Sequence, residues 1–281
     1  MREINVEKVT DAVAEACVKI NYALSPDMEN ALARARETEN TDLGKEILGM
    51  LAENKKTAAE ENIPICQDTG MAVVFMTVGQ DVHFTGGSLT DAVNAGVRKG
   101  YERGYLRKSV VSDPLIRVNT NDNTPAVIHT DIVPGDRVTL TVTSKGFGSE
   151  NTSRLFMLKP ADGEEGVKNA VLTAVKEAGA NACPPMVVGV GVGGNFEKCA
   201  LMAKHALTRN AGENSPLPHI AGMENELLQK INALGIGPAG LGGATTALAV
   251  NIETYPTHIA GLPVAVNICC HVNRHCTVEI D

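Results

Sequence analysis

The chain has 281 residues, of which 43% are apolar, enough for a large core arranged as one big domain or two smaller ones. Its formal net charge is -8, with 33 acidic and 25 basic residues and no basic block, so nucleic acid is excluded as a partner because phosphate contacts need clustered Lys and Arg. Aromatic residues make up only 3% and Trp is absent, which also removes the stacking platforms that bases need.

The N-terminal sequence MREINVEKVTDAVAEACVKI alternates charged with apolar residues and makes no signal-peptide core. No apolar run approaches about 20 residues, which excludes a transmembrane helix and leaves a cytoplasmic protein as the expectation. Between Asn5 and Tyr22, residues Val6, Val9, Val13, Cys17 and Ile20 recur at helical spacing and predict an apolar helix face, with Cys17 as a packed core thiol. A second helix is predicted from Pro26 and a third from about Leu43 to Glu60. Pro64 then ends the helical region, and the run from Met71 to Val78 reads as a buried strand.

Ser88 followed by Asp91 signals the start of a helix carrying Val93, Val97 and Tyr101, which should deliver Arg107 near its C-terminal end. Next, Val138, Leu140 and Val142 alternate with threonines after a turn at Pro134 and Gly135. Helices from about Glu164 to Ala178 and Phe196 to Leu207 bracket the glycine-punctuated strand MVVGVGVGGN. A further helix from Met223 to Leu234 precedes two strands joined by a Pro-containing turn. The mixture predicts an α/β or α+β fold with mixed sheets surrounded by helices and a helical N-terminal third; no superfold follows from the order of elements.

Seven cysteines occur, with no disulfide framework to explain an odd number. Three settings place a thiol where a buried strand begins or ends: Cys66 in ICQDTG, Cys183 before Pro184 and Pro185, and the pair Cys269 and Cys270 followed by His271 and Arg274. If three such thiols converge, they leave one iron of a [4Fe–4S] cube open as a Lewis acid. Unconnected thiols, a zinc site or a cysteine nucleophile explain the same residues, since no CxxC pair anchors a site. The glycines of SKGFGSENTS are equally an anion cradle or an ordinary loop. GVGVGGN is a poor dinucleotide loop because no acidic partner follows at the expected distance. A solvated side chain is the default explanation of Arg107, and a semi-buried histidine that of His258.

Taken together, ICQDTG, GYLRKSVVSDP, KGFGSEN, NACPP with GVGVGGNFEKC, GPAGLGGATTALAV and YPTHIAGLPVAVNICCH resemble the alpha region of the iron–sulfur, class I fumarate hydratases and the related L(+)-tartrate dehydratases. The motifs keep the same order over essentially the whole chain. The resemblance implies one alpha-type domain over residues 1–281, helical to about residue 62 and catalytic α/β from about residue 63. It implies a [4Fe–4S] cluster on Cys66, Cys183 and Cys270, the last chosen over Cys269 because the family motif is a cysteine immediately before histidine. Gln67 and Asp68 would face the substrate, Arg107 would grip a carboxylate, Gly148 would lend a backbone contact and His258 would reach the bound dicarboxylate. Asp68 and His258 are the implied catalytic residues, while Cys199 and Cys276 stay core thiols.

The reaction implied is reversible hydration of fumarate to (S)-malate, with dehydration of L(+)-tartrate to oxaloacetate as the alternative and a non-catalytic iron–sulfur sensor as a second one. Single-chain members of the family continue into a smaller beta domain with further substrate-binding cations. This chain is therefore expected to be the alpha subunit of an α2β2 enzyme that needs a separate beta subunit.

Overall fold

The computed structural model describes all residues from Met1 to Asp281, and these form two compact units. The first comprises residues 1–25, 54–147 and 274–281; the second comprises residues 26–53 and 148–273. In chain order the helices are α1 (Val6–Tyr22), α2 (Pro26–Thr38), α3 (Asp42–Glu61), α4 (Leu89–Arg103), α5 (Phe147–Glu150), α6 (Gly163–Ala178), α7 (Phe196–Ala206) and α8 (Pro218–Asn232). The strands are β1 (Arg2–Asn5), β2 (Met71–Gly79), β3 (Val82–Thr85), β4 (Val127–Val133), β5 (Val138–Lys145), β6 (Arg154–Leu158), β7 (Met186–Gly193), β8 (Ala247–Tyr255), β9 (Leu262–Cys269) and β10 (His275–Ile280). The fold is thus the expected mixture of mixed sheets and helices. Its helical N-terminal part is preceded by the short strand β1, which sequence pattern did not suggest.

In the first unit a four-stranded sheet runs in the order β10-β5-β2-β4, and only the β2–β4 pair is parallel. The predicted alternation in β5 buries Val138, Leu140 and Val142 in a core shared with Val9, Val13 and Cys17 of α1 and Val93 and Val97 of α4. Asn5 caps α1 by accepting from Glu7 N–H, and Ser88 caps α4 by accepting from Asp91 N–H, satisfying helix-end donors that would otherwise be orphaned. Arg107 lies four residues beyond the end of α4, in a loop rather than on the helix.

The second unit is built on the sheet β6-β9-β7-β8. Strands β8 and β9 are consecutive in sequence yet not paired; β7 lies between them, parallel to β8 and antiparallel to β9. The MVVGVGVG pattern explains how this sheet is covered. Side chains alternate across a strand, so Val188 and Val190 enter a core with α6 and α8, while Gly189 and Gly191 point to α7. A Cβ at Gly189 would stand 2.2 Å from the Ala203 carbonyl oxygen, and one at Gly191 would stand 2.1 Å from that of Cys199. These glycines admit a helix backbone against the sheet, which accounts for the motif without a nucleotide.

Candidate active site

The first unit presents ICQDTG as the loop between α3 and β2. Its entry is pinned because Ile65 N–H donates to the Asn21 carbonyl at 2.9 Å and the Asn54 amide donates to the Ile65 carbonyl at 2.9 Å. Cys66 is half-buried and Gln67 exposed, with Cys66 Sγ 3.6 Å from Gln67 Oε1. Asp68 is held through both carboxylate oxygens: Oδ1 accepts from Gly70 N–H at 3.1 Å and Oδ2 from Phe147 N–H at 2.9 Å. Gly70 turns the chain with φ +73°, and a Cβ there would meet the Lys145 backbone at 2.7 Å.

Beneath this loop lies Tyr101, whose ring completes the apolar face of α4 and is fully buried. Its hydroxyl stands 2.7 Å from the Thr69 carbonyl, 3.0 Å from that of Gly70 and 3.0 Å from Ser144 Oγ. Burial, with the Cys17 thiol adding to it, pushes the phenol pKa up and keeps it a proton donor. Ser144 also donates to the Thr69 carbonyl. Arg274, only 3% exposed, donates from Nη2 to the Asp68 carbonyl at 2.5 Å and from Nε to the Ser144 carbonyl at 3.2 Å. Its Nη1 is buried without a partner.

Arg107 joins the same loop through its backbone, because its carbonyl accepts from Thr69 Oγ1 at 3.0 Å. Its side chain is exposed, leaving the guanidinium available to an incoming anion. Buried Asn123 bridges the segment, accepting from Ser109 N–H at 2.7 Å and donating to the Gly70 carbonyl at 3.2 Å. Cys66, Gln67, Asp68 and Arg107 therefore share one fastened loop pair.

Within the second unit, the residues expected from sequence divide between the two ends of the sheet. Cys183 precedes β7 and Cys270 follows β9, and the register Val187 opposite Cys269 puts them at the same end. The His271 backbone N–H donates to the Cys183 carbonyl at 3.4 Å, and His271 Nδ1 lies 3.1 Å from the same oxygen. Cys183 is exposed and Cys270 half-buried, whereas Cys269 is 3% exposed inside the strand.

The turn at Cys183 is braced from behind, since Ala239 N–H in the glycine-rich GIGPAGLGG segment donates to the Pro184 carbonyl at 2.9 Å. That segment is fixed in turn by Glu39, which accepts from the N–H groups of Ala244 and Thr245 at 2.9 Å each and from Asn40, Thr41 and the Thr41 hydroxyl. Burial opposes the Glu39 charge, but hydrogen bonds from Ala244, Thr41 and Thr245 outweigh it and bring the pKa down to about 2. GIGPAGLGG is thus a structural crossing behind the cysteine.

His258 lies at the opposite end of the sheet, in the exposed loop joining β8 to β9. The eight residues of β7 separate the two ends, on the order of 25 Å at about 3.3 Å per residue. Gly148 is exposed with open space where a Cβ would project.

The remaining thiols are packing residues. Cys17 is 1% exposed with its pKa pushed up to about 12, by burial first and then by neighbouring Cys276. Burial also raises Cys199 and Cys276. No three His, Cys, Asp or Glu side chains make a ligand set for a single ion. The thiolates of an iron–sulfur cube each bind a different iron, a wider arrangement than one ion requires. The donor chemistry fits such a group: Cys66, Cys183 and Cys270 are loop thiols open to solvent in part or in full, unlike the core thiols Cys17, Cys199 and Cys269.

The sequence pattern gives no site role to Ser144, Asn123 or the hydroxyl of Tyr101, and shows Arg274 only as a charge following Cys270. Tyr101 carried a signal, because a tyrosine ending a buried helix stripe must find a partner for its O–H.

Helix-covered mixed sheets, partly exposed thiols at strand ends and a fastened acidic loop are compatible with a hydro-lyase of the fumarate hydratase type. The sequence profile described as fumarate hydratase (fumerase) matches residues 10–279, and the chain belongs to that family. A Methanocaldococcus jannaschii protein, provisionally named L(+)-tartrate dehydratase subunit alpha, is 40% identical over 97% of this chain and 98% of its own length. The L(+)-tartrate dehydratase subunit alpha of Escherichia coli K12 is 32% identical over 98% of this chain and 91% of its own, and that of Shigella sonnei has the same figures. No helix is long and apolar enough to cross a membrane.

Proposed function

We propose that this chain is the alpha subunit of an iron–sulfur hydro-lyase acting on a four-carbon dicarboxylate, with Cys66, Cys183 and Cys270 holding a [4Fe–4S] cluster. The observation that carries the reading is the fastened ICQDTG loop, where a half-buried thiol adjoins an orienting amide and a carboxylate locked through both oxygens. When bound, the cluster supplies Lewis acidity toward a substrate hydroxyl through an iron without a protein ligand.

The chain's own residues account for the rest. Arg107, exposed and anchored by its backbone, grips a substrate carboxylate and offsets charge that develops as the neighbouring C–H bond is broken. Asp68 holds or moves a proton at a carboxylate oxygen whose direction is fixed by the Phe147 and Gly70 amides. Gln67 orients the substrate through its exposed amide, and Gly148 lends its backbone N–H. His258 lies a full strand length from Cys183 and Cys270, so its proposed contact with a dicarboxylate at these thiols requires a second alpha chain to supply it. That arrangement agrees with the proposed α2β2 assembly. A beta partner is supported by the relatives, which are named as alpha subunits.

Reversible hydration of fumarate to (S)-malate is the reading supported by the family description. Dehydration of L(+)-tartrate to oxaloacetate is the second reading, favoured by the names of the full-length relatives. Anaerobic co-expression with the beta subunit, followed by parallel assays on (S)-malate and L(+)-tartrate with iron and sulfide measured on the same sample, decides between them. Turnover of neither substrate by a loaded complex would leave the non-catalytic sensor and overturn the proposal.

A further inference from the structure

Arg274 combines three properties that a purely structural arginine rarely shows together. It is 3% exposed, no carboxylate pairs with it, and after donating to the carbonyls of Asp68 and Ser144 it keeps a buried, unpartnered donor at Nη1. Burying a cation without a counter-charge is strongly unfavourable, and a buried donor without an acceptor adds to the cost. Both deficits disappear when an anion with a free lone pair arrives beside Asp68. Nη1 and Nη2 share one guanidinium carbon, so the free donor lies within a few ångströms of the carbonyl that Nη2 holds. The fork is therefore fixed by two of its nitrogens while the third is left for a ligand.

We propose that Arg274 is a further site residue whose charge and free Nη1 donor receive the anion binding at the Cys66–Gly70 loop. The shared chemistry is an accepting anion, supplied either by the thiolates and sulfides of the cluster or by a substrate carboxylate. This inference rests on the functional reading above. It assigns to Arg274 a task separate from gripping by Arg107, which is exposed and approaches from the loop surface.

The test uses the full chain, reconstituted anaerobically with ferrous iron and sulfide, as wild type and as Arg274→Gln, Arg274→Lys and Ser144→Ala. Ser144→Ala loosens the same loop without altering charge, so it reports a structural role alone. Circular dichroism establishes folding, and the readouts are the cluster's midpoint potential and the affinity for succinate.

With the cluster as the anion, R274Q lowers the potential because a nearby positive charge no longer offsets the added electron, while R274K and S144A stay at the wild-type value. With the substrate carboxylate as the anion, the potential is unchanged but succinate binds at least tenfold more weakly to R274Q, and R274K recovers most of the loss. A folded R274Q that matches wild type in both readouts overturns the proposal. If R274Q does not fold, succinate and sulfate are titrated into cluster-free wild type and R274K at low ionic strength. Stabilisation of both, falling as salt rises, supports the anion assignment, and no stabilisation overturns it. Failure of wild type to take up iron and sulfide would sink the functional reading by itself. The anion titration would then be run on cluster-free wild type and S144A, with an absent response overturning the role of Arg274 as well.

Discussion

The loop carrying Cys66 and the loop carrying His258 solve opposite problems. From Ile65 to Gly70, side chains from separate elements take hold of the backbone: the exposed Asn54 and the buried Tyr101, Asn123, Ser144 and Arg274 each bond at least one of its carbonyls. From Pro256 to Gly261 the bonds are short-range or superficial, with Gly194 N–H to the Pro256 carbonyl at 3.2 Å, Thr257 Oγ1 to the Gly194 carbonyl at 2.9 Å, and a turn closed by Gly261 N–H on the His258 carbonyl. Ile259 at its tip is 91% exposed. Under the proposed function the first is a ligand-bearing loop whose geometry is set before the ligand arrives, and the second a loop that gains its order on contact with a second chain.

The sharpest way to break this comparison is to remove the thiols. Cys66→Ser and Cys270→Ser are each expected to abolish turnover of the assembled enzyme and lose iron, while Cys269→Ala keeps both; equal iron in all three variants would reject the ligand assignment. Asp68→Asn is expected to preserve the two backbone contacts in part and to lower kcat by about 10²–10⁴-fold without loss of iron. A loss confined to KM would make Asp68 a binding group only.

Glu39→Gln tests the bracing behind Cys183. The wild-type carboxyl falls from 4.5 to about 2 on folding, so its contribution is fully present above pH 4.5 and is lost as pH drops from there toward 2. The variant should be about 2–3 kcal/mol less stable at pH 7, with the gap narrowing below pH 4.5 in urea unfolding. A gap independent of pH would mean that the charge is irrelevant. The smallest stability effect is expected for His258→Ala, within about 0.5 kcal/mol because the side chain is exposed. Its kcat/KM in the assembled enzyme should still fall by about 10–100-fold, as for loss of a hydrogen bond to a charged group. Mixing this variant with a Cys66→Ser chain should restore part of the turnover if the histidine acts on a second chain.

Local pattern made much of the frame readable. Ser88 and Asp91 announced α4, the Val and Thr alternation announced β5, and the thiols at strand ends were visible as a set. Pattern could not give the order β9-β7-β8, because nothing in ATTALAVNIETYPTHIAGLPVAVNICC distinguishes a hairpin from two strands that straddle a third. The short strands β3, β6 and β10 also escaped, being defined by pairing rather than composition. Arg274 was legible only as a charge near Cys270; its burial depends on Asp68 and Ser144, more than a hundred residues away in sequence.

Cys183 adopts φ +52° and ψ +63°, a left-handed pose that glycine takes freely and that a residue with a side chain holds at a cost of about 1–2 kcal/mol. Folding alone would favour glycine at this position, and the proposed ligand role gives the thiol a reason to be kept there. Directed evolution for heat tolerance, if blind to activity, should therefore accept glycine at this turn, and on the proposed ligand assignment such a hardened variant would be a scaffold no longer able to hold the cluster.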